Sequence, residues 1–320
     1  MAHLTEGFWG AFQVTQRGTV VAEAAAGPAA HTTSARLDTC FQAASISKQF
    51  VAASLMLLSE RGVLSLDDPI RRWWPSTPKS WDRITVEQLL THSSGLMHWG
   101  DIPGLDISRP PSPRDILAEA ITLPLLSAPG TRWAYSGVGF LLAAAIVEAA
   151  SGRPYGEFVT DNIFSPLGMT STTSGQTPDG RRVAKGHRDG QPVPLVAGLT
   201  TWPGTGDLWT TVADLIRYAD AVRAGDLLSD RSQRLMAHPH IMIQDSPPNG
   251  GAISPVAYGY GIFTGTIAGH PARFHPGDNP GFRSLLAWLP EADITLAVLS
   301  NEESTTLDEI VPRFLGTITR

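Results

Sequence analysis

The chain has 320 residues, 42% of them apolar and 17% charged, which is enough for one large domain or two closely joined ones and too apolar for a disordered chain. Its net charge of −6 is spread without an acidic or basic block, which excludes nucleic acid as the main partner, because phosphate binding needs clustered Lys and Arg. One cysteine, Cys40, excludes an internal disulfide and reads as a small buried apolar residue.

Of the 24 basic residues only Lys48, Lys79 and Lys185 are lysines. That bias suits a GC-rich bacterial genome and makes any lysine inside a motif conspicuous. The stretch from Met1 to Gly7 has neither the basic patch nor the apolar run of a signal peptide. No apolar stretch reaches the roughly 18 residues of a membrane span. The expectation is a cytoplasmic protein with no membrane partner.

Residues 7–15 and 19–25 read as a β-hairpin turned at Gln16-Arg17-Gly18. The apolar spacing of Ile46, Phe50, Ala53, Leu57 and Leu58 predicts a helix over 45–61, closed by Gly62. Short helices are expected at 84–90 and 113–122, with a proline-rich loop between them. A strongly apolar helix follows at 138–150, ended by Ser151-Gly152, and another at 155–163. The segment 170–205 is rich in Gly, Pro, Thr and Ser and reads as irregular, and 211–224 reads as helix. Strands are expected at 256–267, 270–275, 281–289 and 293–299, with a turn at Glu291-Ala292-Asp293 and a closing helix at 304–316.

This order predicts an α+β fold, with an antiparallel sheet assembled from both chain ends, flanked by helices. Residues 1–66 and 206–320 would form the sheet domain. Residues 67–205 would form an inserted, mainly helical subdomain, with the active site at the interface.

Three elements carry chemistry. In Ser45-Ile46-Ser47-Lys48 the serine and lysine share a helix face at i and i+3. A serine hydroxyl needs a neighbouring base, and a lysine becomes one when burial or a nearby cation lowers its pKa. The helix N-terminus also offers N–H groups to a developing oxyanion. Alone, Ser-x-x-Lys also fits a capped helix with a surface lysine. Tyr135-Ser136-Gly137 lies on a loop before the apolar helix, and a tyrosine near a cationic lysine ionises more easily and can relay protons. In His275-Pro276-Gly277 the proline implies a strand edge or an interruption. Gly277 permits close backbone approach to a ligand, and His275 could donate to a substrate oxygen or to the tyrosine.

In this order the three elements resemble the serine β-lactamase and penicillin-binding-protein superfamily, most of all its class C-like branch of esterases, D-aminopeptidases and acyl-transfer enzymes. The segments 41–48, 62–69, 84–96, 129–136, 163–169 and 275–282 carry the resemblance, which spans roughly 7–301. It implies a β-lactamase/transpeptidase-like fold. Ser45 would be the acylated nucleophile, and Lys48 and Tyr135 would share the general-base and general-acid work. His275 would stand in the Lys/His-x-Gly element, and the N–H groups of Ser45 and Asp278 would form the oxyanion hole.

Many relatives carry asparagine where Gly137 stands. That departure implies more room and fewer hydrogen bonds near the scissile bond. With His275 in place of lysine, it tilts the reading from β-lactams towards small ester, amide or other acyl substrates. Trp99, Trp202, Trp209 and Trp288 could line an acyl or aromatic pocket, and the resemblance places Trp99 and Trp202 near the cleft, but packing is the plainer reading for each of the four. His92 and His98 read as structural. His238-Pro239-His240 lacks a third ligand at suitable spacing, so no metal or cofactor is expected.

The leading expectation is an esterase or amidase acting through Ser45. The alternatives are a biosynthetic transacylase, a β-lactamase or D-peptidase, and a catalytically silent binding or sensor protein on the same fold.

Overall fold

The hairpin forms as β1 (Gly10–Gln16) and β2 (Thr19–Ala26). Arg17 and Gly18 take φ of 51° and 74°, the left-handed pair that a two-residue hairpin loop needs. The computed structural model describes residues 4–30, 32–107, 111–196, 198–244 and 251–316. Two-residue strands follow at β3 (Phe41–Gln42) and β4 (Thr173–Ser174), then β5 (Leu208–Thr210) and β6 (Ile241–Met242). The C-terminal strands are β7 (Ile253–Tyr258), β8 (Phe263–Ile267), β9 (His270–Asn279), β10 (Phe282–Leu289) and β11 (Ile294–Ser300).

Eight of these make one antiparallel sheet in the order β6-β7-β8-β9-β10-β11-β1-β2. Both chain ends therefore build it, and β1 pairs with β11 from Gly10↔Ser300 to Gln16↔Ile294. The run 256–267, expected as one strand, is two, with Gly259-Tyr260-Gly261 turning the chain between β7 and β8. The strand expected at 270–275 runs on through Pro276 to Asn279. Its pairing with β8 stops at Phe274, so Pro276 removes no bond from that edge.

The helices are α1 (Ser47–Glu60), α2 (Val86–Leu90), α3 (Pro113–Ala120), α4 (Gly137–Ser151), α5 (Tyr155–Val159), α6 (Val212–Ala224), α7 (Asp230–Met236) and α8 (Leu307–Leu315). Sequence explains their ends. Thr85 and Ser112 form capping boxes with Gln88 and Asp115, and Ser136 caps α4, which Gly152 closes in the left-handed conformation. The short α7 has no counterpart in the expected elements.

In α1 every residue from Ser47 to Leu58 is buried, the polar Ser47, Lys48, Gln49 and Ser54 included. It runs through the main core between the sheet and the helical region. A second core fills the opposite face of the sheet under α8, where Phe12 and Phe314 stack with ring centroids 3.8 Å apart. A small sheet in the order β3-β5-β4 leads straight into the turn that carries Ser45.

Candidate active site

Ser45 lies in a one-turn 3-10 helix, Ala44–Ile46, that runs into α1. Ala44 is held at φ 48°, a left-handed conformation that costs an L-residue about 1–2 kcal/mol. The surroundings hold it there. The Ala43 N–H donates to Leu208 O at 2.9 Å, Ser284 Oγ donates to Ala43 O at 2.7 Å, and Ser47 Oγ donates to Ala44 O. As the first turn of a helix, this segment leaves N–H groups without intrahelical acceptors.

Two groups converge on the serine. Lys48 Nζ is 3.1 Å from Ser45 Oγ, and the Tyr135 hydroxyl donates to the same oxygen at 2.9 Å. Lys48 is only 1% exposed. The Tyr135 and Phe140 rings flank its nitrogen at 4.9 and 5.5 Å from their centroids. Burial brings the lysine down to about 7, with Asp207 pulling it up against that trend. An ordinary lysine is neutral in only about one molecule in 2,500 at pH 7, so this one is prepared as a base. Tyr135 departs from the expectation of easy ionisation: burial pushes it above the usual tyrosine range, and the Ser45 hydrogen bond only partly offsets this. It is therefore a proton donor at neutral pH.

The loop carrying Tyr135 is fixed by two histidines. His92 Nδ1 accepts the Ser136 N–H and His98 Nδ1 accepts the Gly137 N–H, each at 3.0 Å. Burial lowers His92 far below the usual histidine value and brings His98 to about 4. Both are neutral acceptors at pH 7.

His275 is brought beside the site, with its ring centroid 6.5 Å from that of Tyr135, but its hydrogen bonds go to other partners than the expected ones. The ring is 1% exposed. Its Nδ1 donates to Pro276 O at 2.6 Å, and its Nε2 accepts from the Tyr258 hydroxyl at 2.9 Å. With both nitrogens engaged, no N–H is left for a substrate oxygen or for Tyr135. Burial lowers the ring to about 3, so it carries no charge.

Gly277 also departs from expectation, because the chain itself makes the close approach. A Cβ there would lie 2.5 Å from Ala43 O and 3.0 Å from Ala44 Cβ. The bare glycine lets β9 press against the nucleophile turn. Asp278 follows it opposite Arg283, with which its carboxylate pairs.

The room expected at Gly137 is occupied. A Cβ at that position would come 2.5 Å from Trp99 Nε1 and 3.0 Å from His98 Nδ1. Trp99 in turn packs edge-on against Trp202, with centroids 5.3 Å apart. Trp202 is fully buried, and its indole N–H donates to Pro111 O at 2.9 Å. It backs Trp99 and presents no face of its own.

Two residues of the site escaped the sequence. Tyr258 orients His275, and the aromatic-glycine run Tyr258-Gly259-Tyr260-Gly261 was the available signal. Asp207 is 0% exposed. It accepts from Ser174 Oγ at 2.5 Å and from the Gly204 N–H at 2.8 Å, and burial raises it to about 6. In sequence it sits in a Gly/Thr-rich stretch that reads as loop. His240, from the His-Pro-His run, donates to Leu235 O and stacks on Tyr260. Among the described residues no three His, Cys, Asp or Glu side chains gather as a metal site, and no helix is long and apolar enough to cross a membrane.

A family model described as Beta-lactamase matches residues 2–315. Penicillin-binding protein 4* of Bacillus subtilis is 28% identical over 292 residues, which is 85% of this chain and 62% of that protein. Esterase EstB of Burkholderia gladioli is 34% identical over 177 residues, 50% of this chain and 44% of the esterase. The chain thus spans less than two thirds of the length of either relative. The crystal structure of D-amino acid amidase from Ochrobactrum anthropi SV3, complexed with L-phenylalanine, superposes with a TM-score of 0.83 at 25% identity, covering 99% of this chain and 95% of the amidase.

Proposed function

The chain belongs to the Beta-lactamase family of serine hydrolases, and from that premise we propose that it hydrolyses small esters or amides through an acyl-enzyme on Ser45. The observation that carries this reading is the convergence of Lys48 Nζ and the Tyr135 hydroxyl on Ser45 Oγ, at 3.1 and 2.9 Å. Neutral Lys48 takes the hydroxyl proton as Ser45 attacks the acyl carbonyl. Tyr135, protonated at neutral pH, passes a proton to the departing alcohol or amine. Water then releases the acid by the reverse sequence of proton transfers.

The oxyanion would lie between the first-turn N–H of Ser45 and the N–H of Asp278, where removal of one donor typically costs about 10²–10³ in rate. His275 and Tyr258 hold β9 and the Tyr135 loop in place. Trp99 fills the space at Gly137 that an amide side chain would occupy, so a peptide-like acyl-side amide finds an indole edge there. This favours simple acyl groups over β-lactams and D-peptides.

Ser45→Ala should abolish turnover of a p-nitrophenyl ester while Lys48→Ala leaves a trace. Full activity in Ser45→Ala would remove Ser45 as nucleophile.

A further inference from the structure

We propose that the cavity between α1, α6, α7 and strands β9 and β10 binds a small carboxylate with an apolar body. The cavity measures about 140 Å³, close to the roughly 150 Å³ that accepts a benzene ring in a protein core. Its apolar wall includes Tyr218, Met236, Ile262 and Leu286, all buried. None of Ser45, Lys48 and Tyr135 lines it, so it is distinct from the acyl site.

Its polar lining calls for an acceptor-rich, anionic occupant. Gln49 is 5% exposed and lines the cavity, bringing a neutral amide to its wall. The Trp288 indole N–H is buried without an acceptor. Arg273 pairs with Trp288 in register across β9 and β10, and its guanidinium stacks over the indole at 5.0 Å. Among the described residues neither Arg273 nor Arg234 meets a carboxylate, whereas Arg223 is neutralised by Asp220 and Asp293. No Asp or Glu lines the cavity. Two exposed, carboxylate-free arginines around an apolar hollow suit one carboxylate head with a ring or branched chain behind it.

The test is a ligand-observed NMR titration of the intact protein with benzoate and with neutral benzyl alcohol. Saturable benzoate binding with a Kd on the order of 1 mM is expected for so small a ligand, and benzyl alcohol should bind at least about tenfold more weakly. The Arg234→Gln/Arg273→Gln double variant changes only exposed side chains and should lose about tenfold in benzoate affinity, while Ser45→Ala should bind as the parent does. Absence of saturation, equal binding of the two probes, or an unchanged double variant would each overturn the proposal. Loss of binding in Ser45→Ala would place benzoate in the acyl site and overturn it too.

Discussion

The Trp99 indole stands where a side chain at Gly137 would project, with its Nε1 2.5 Å from a Cβ placed there. The two positions therefore share one volume. Gly137→Asn forces the indole out and should destabilise the fold by about 1–3 kcal/mol, the usual range for overpacking. Trp99→Ala leaves a hole instead. Combined, the two changes should offset each other, so that the double variant melts above the value expected from adding the single losses. Strictly additive melting shifts would show that the two positions do not compete.

On the proposed mechanism, Lys48 sets the pH at which the site works. The amine must be neutral to accept the Ser45 proton, and burial brings it to about 7. Below that pH the ammonium form dominates and activity falls, while above it the base is available. The acid limb of kcat/KM should therefore centre near 7. Tyr135 adds no limb in the neutral range, because it stays protonated there. Lys48→Arg stays protonated across this range and should lose about 10²–10⁴ in rate. An acid limb centred in the carboxylate range would assign the base to another group.

Asp207 offers a way to move that limb. Its carboxylate pulls Lys48 upward against the effect of burial, and it is held by Ser174 and Gly204. Asp207→Asn keeps the shape and removes the negative charge. The ammonium loses support, the lysine pKa falls, and the acid limb should move to lower pH. A limb that stays in place or moves upward would show that Asp207 does not act on Lys48.

Helix spacing alone made the Ser45 and Lys48 pairing legible, since the two are three apart at a helix start. Tyr135, on a loop before another helix, joined them only through the family resemblance. Residues whose role depends on what crosses over from another element stayed hidden. Gly137 reads as empty space because Trp99, 38 positions earlier in the chain, arrives from a different loop. Asp207 looks like a loop residue because its partner Ser174 lies in a two-residue strand, too short to leave an alternating pattern. The single strand expected at 256–267 hid Tyr258, since a glycine-flanked turn is invisible to a count of apolar residues. The sheet itself was readable because its long strands carry their own period.

His275 provides the sharpest contrast between chemistry expected from a motif and chemistry permitted by contacts. Its two nitrogens are engaged by Pro276 O and the Tyr258 hydroxyl, which in the proposed mechanism makes it a positioning residue for β9. His275→Gln should lower kcat/KM by no more than about tenfold, against about 10²–10⁴ for Tyr135→Phe, which removes the proton donor. Stability carries a second signature. Burial brings the folded-state ring to about 3, against an ordinary value of 6.5. Between those two values the unfolded chain binds a proton that the folded chain refuses. Stability is then fully present above 6.5 and is lost as pH falls through this window, by about 1.4 kcal/mol per pH unit for one proton. Denaturant unfolding at a series of pH values should show the parent steeper than His275→Gln by that slope. Parallel curves would mean that the ring titrates in the folded protein as it does in water, and that it is free to exchange protons at the site.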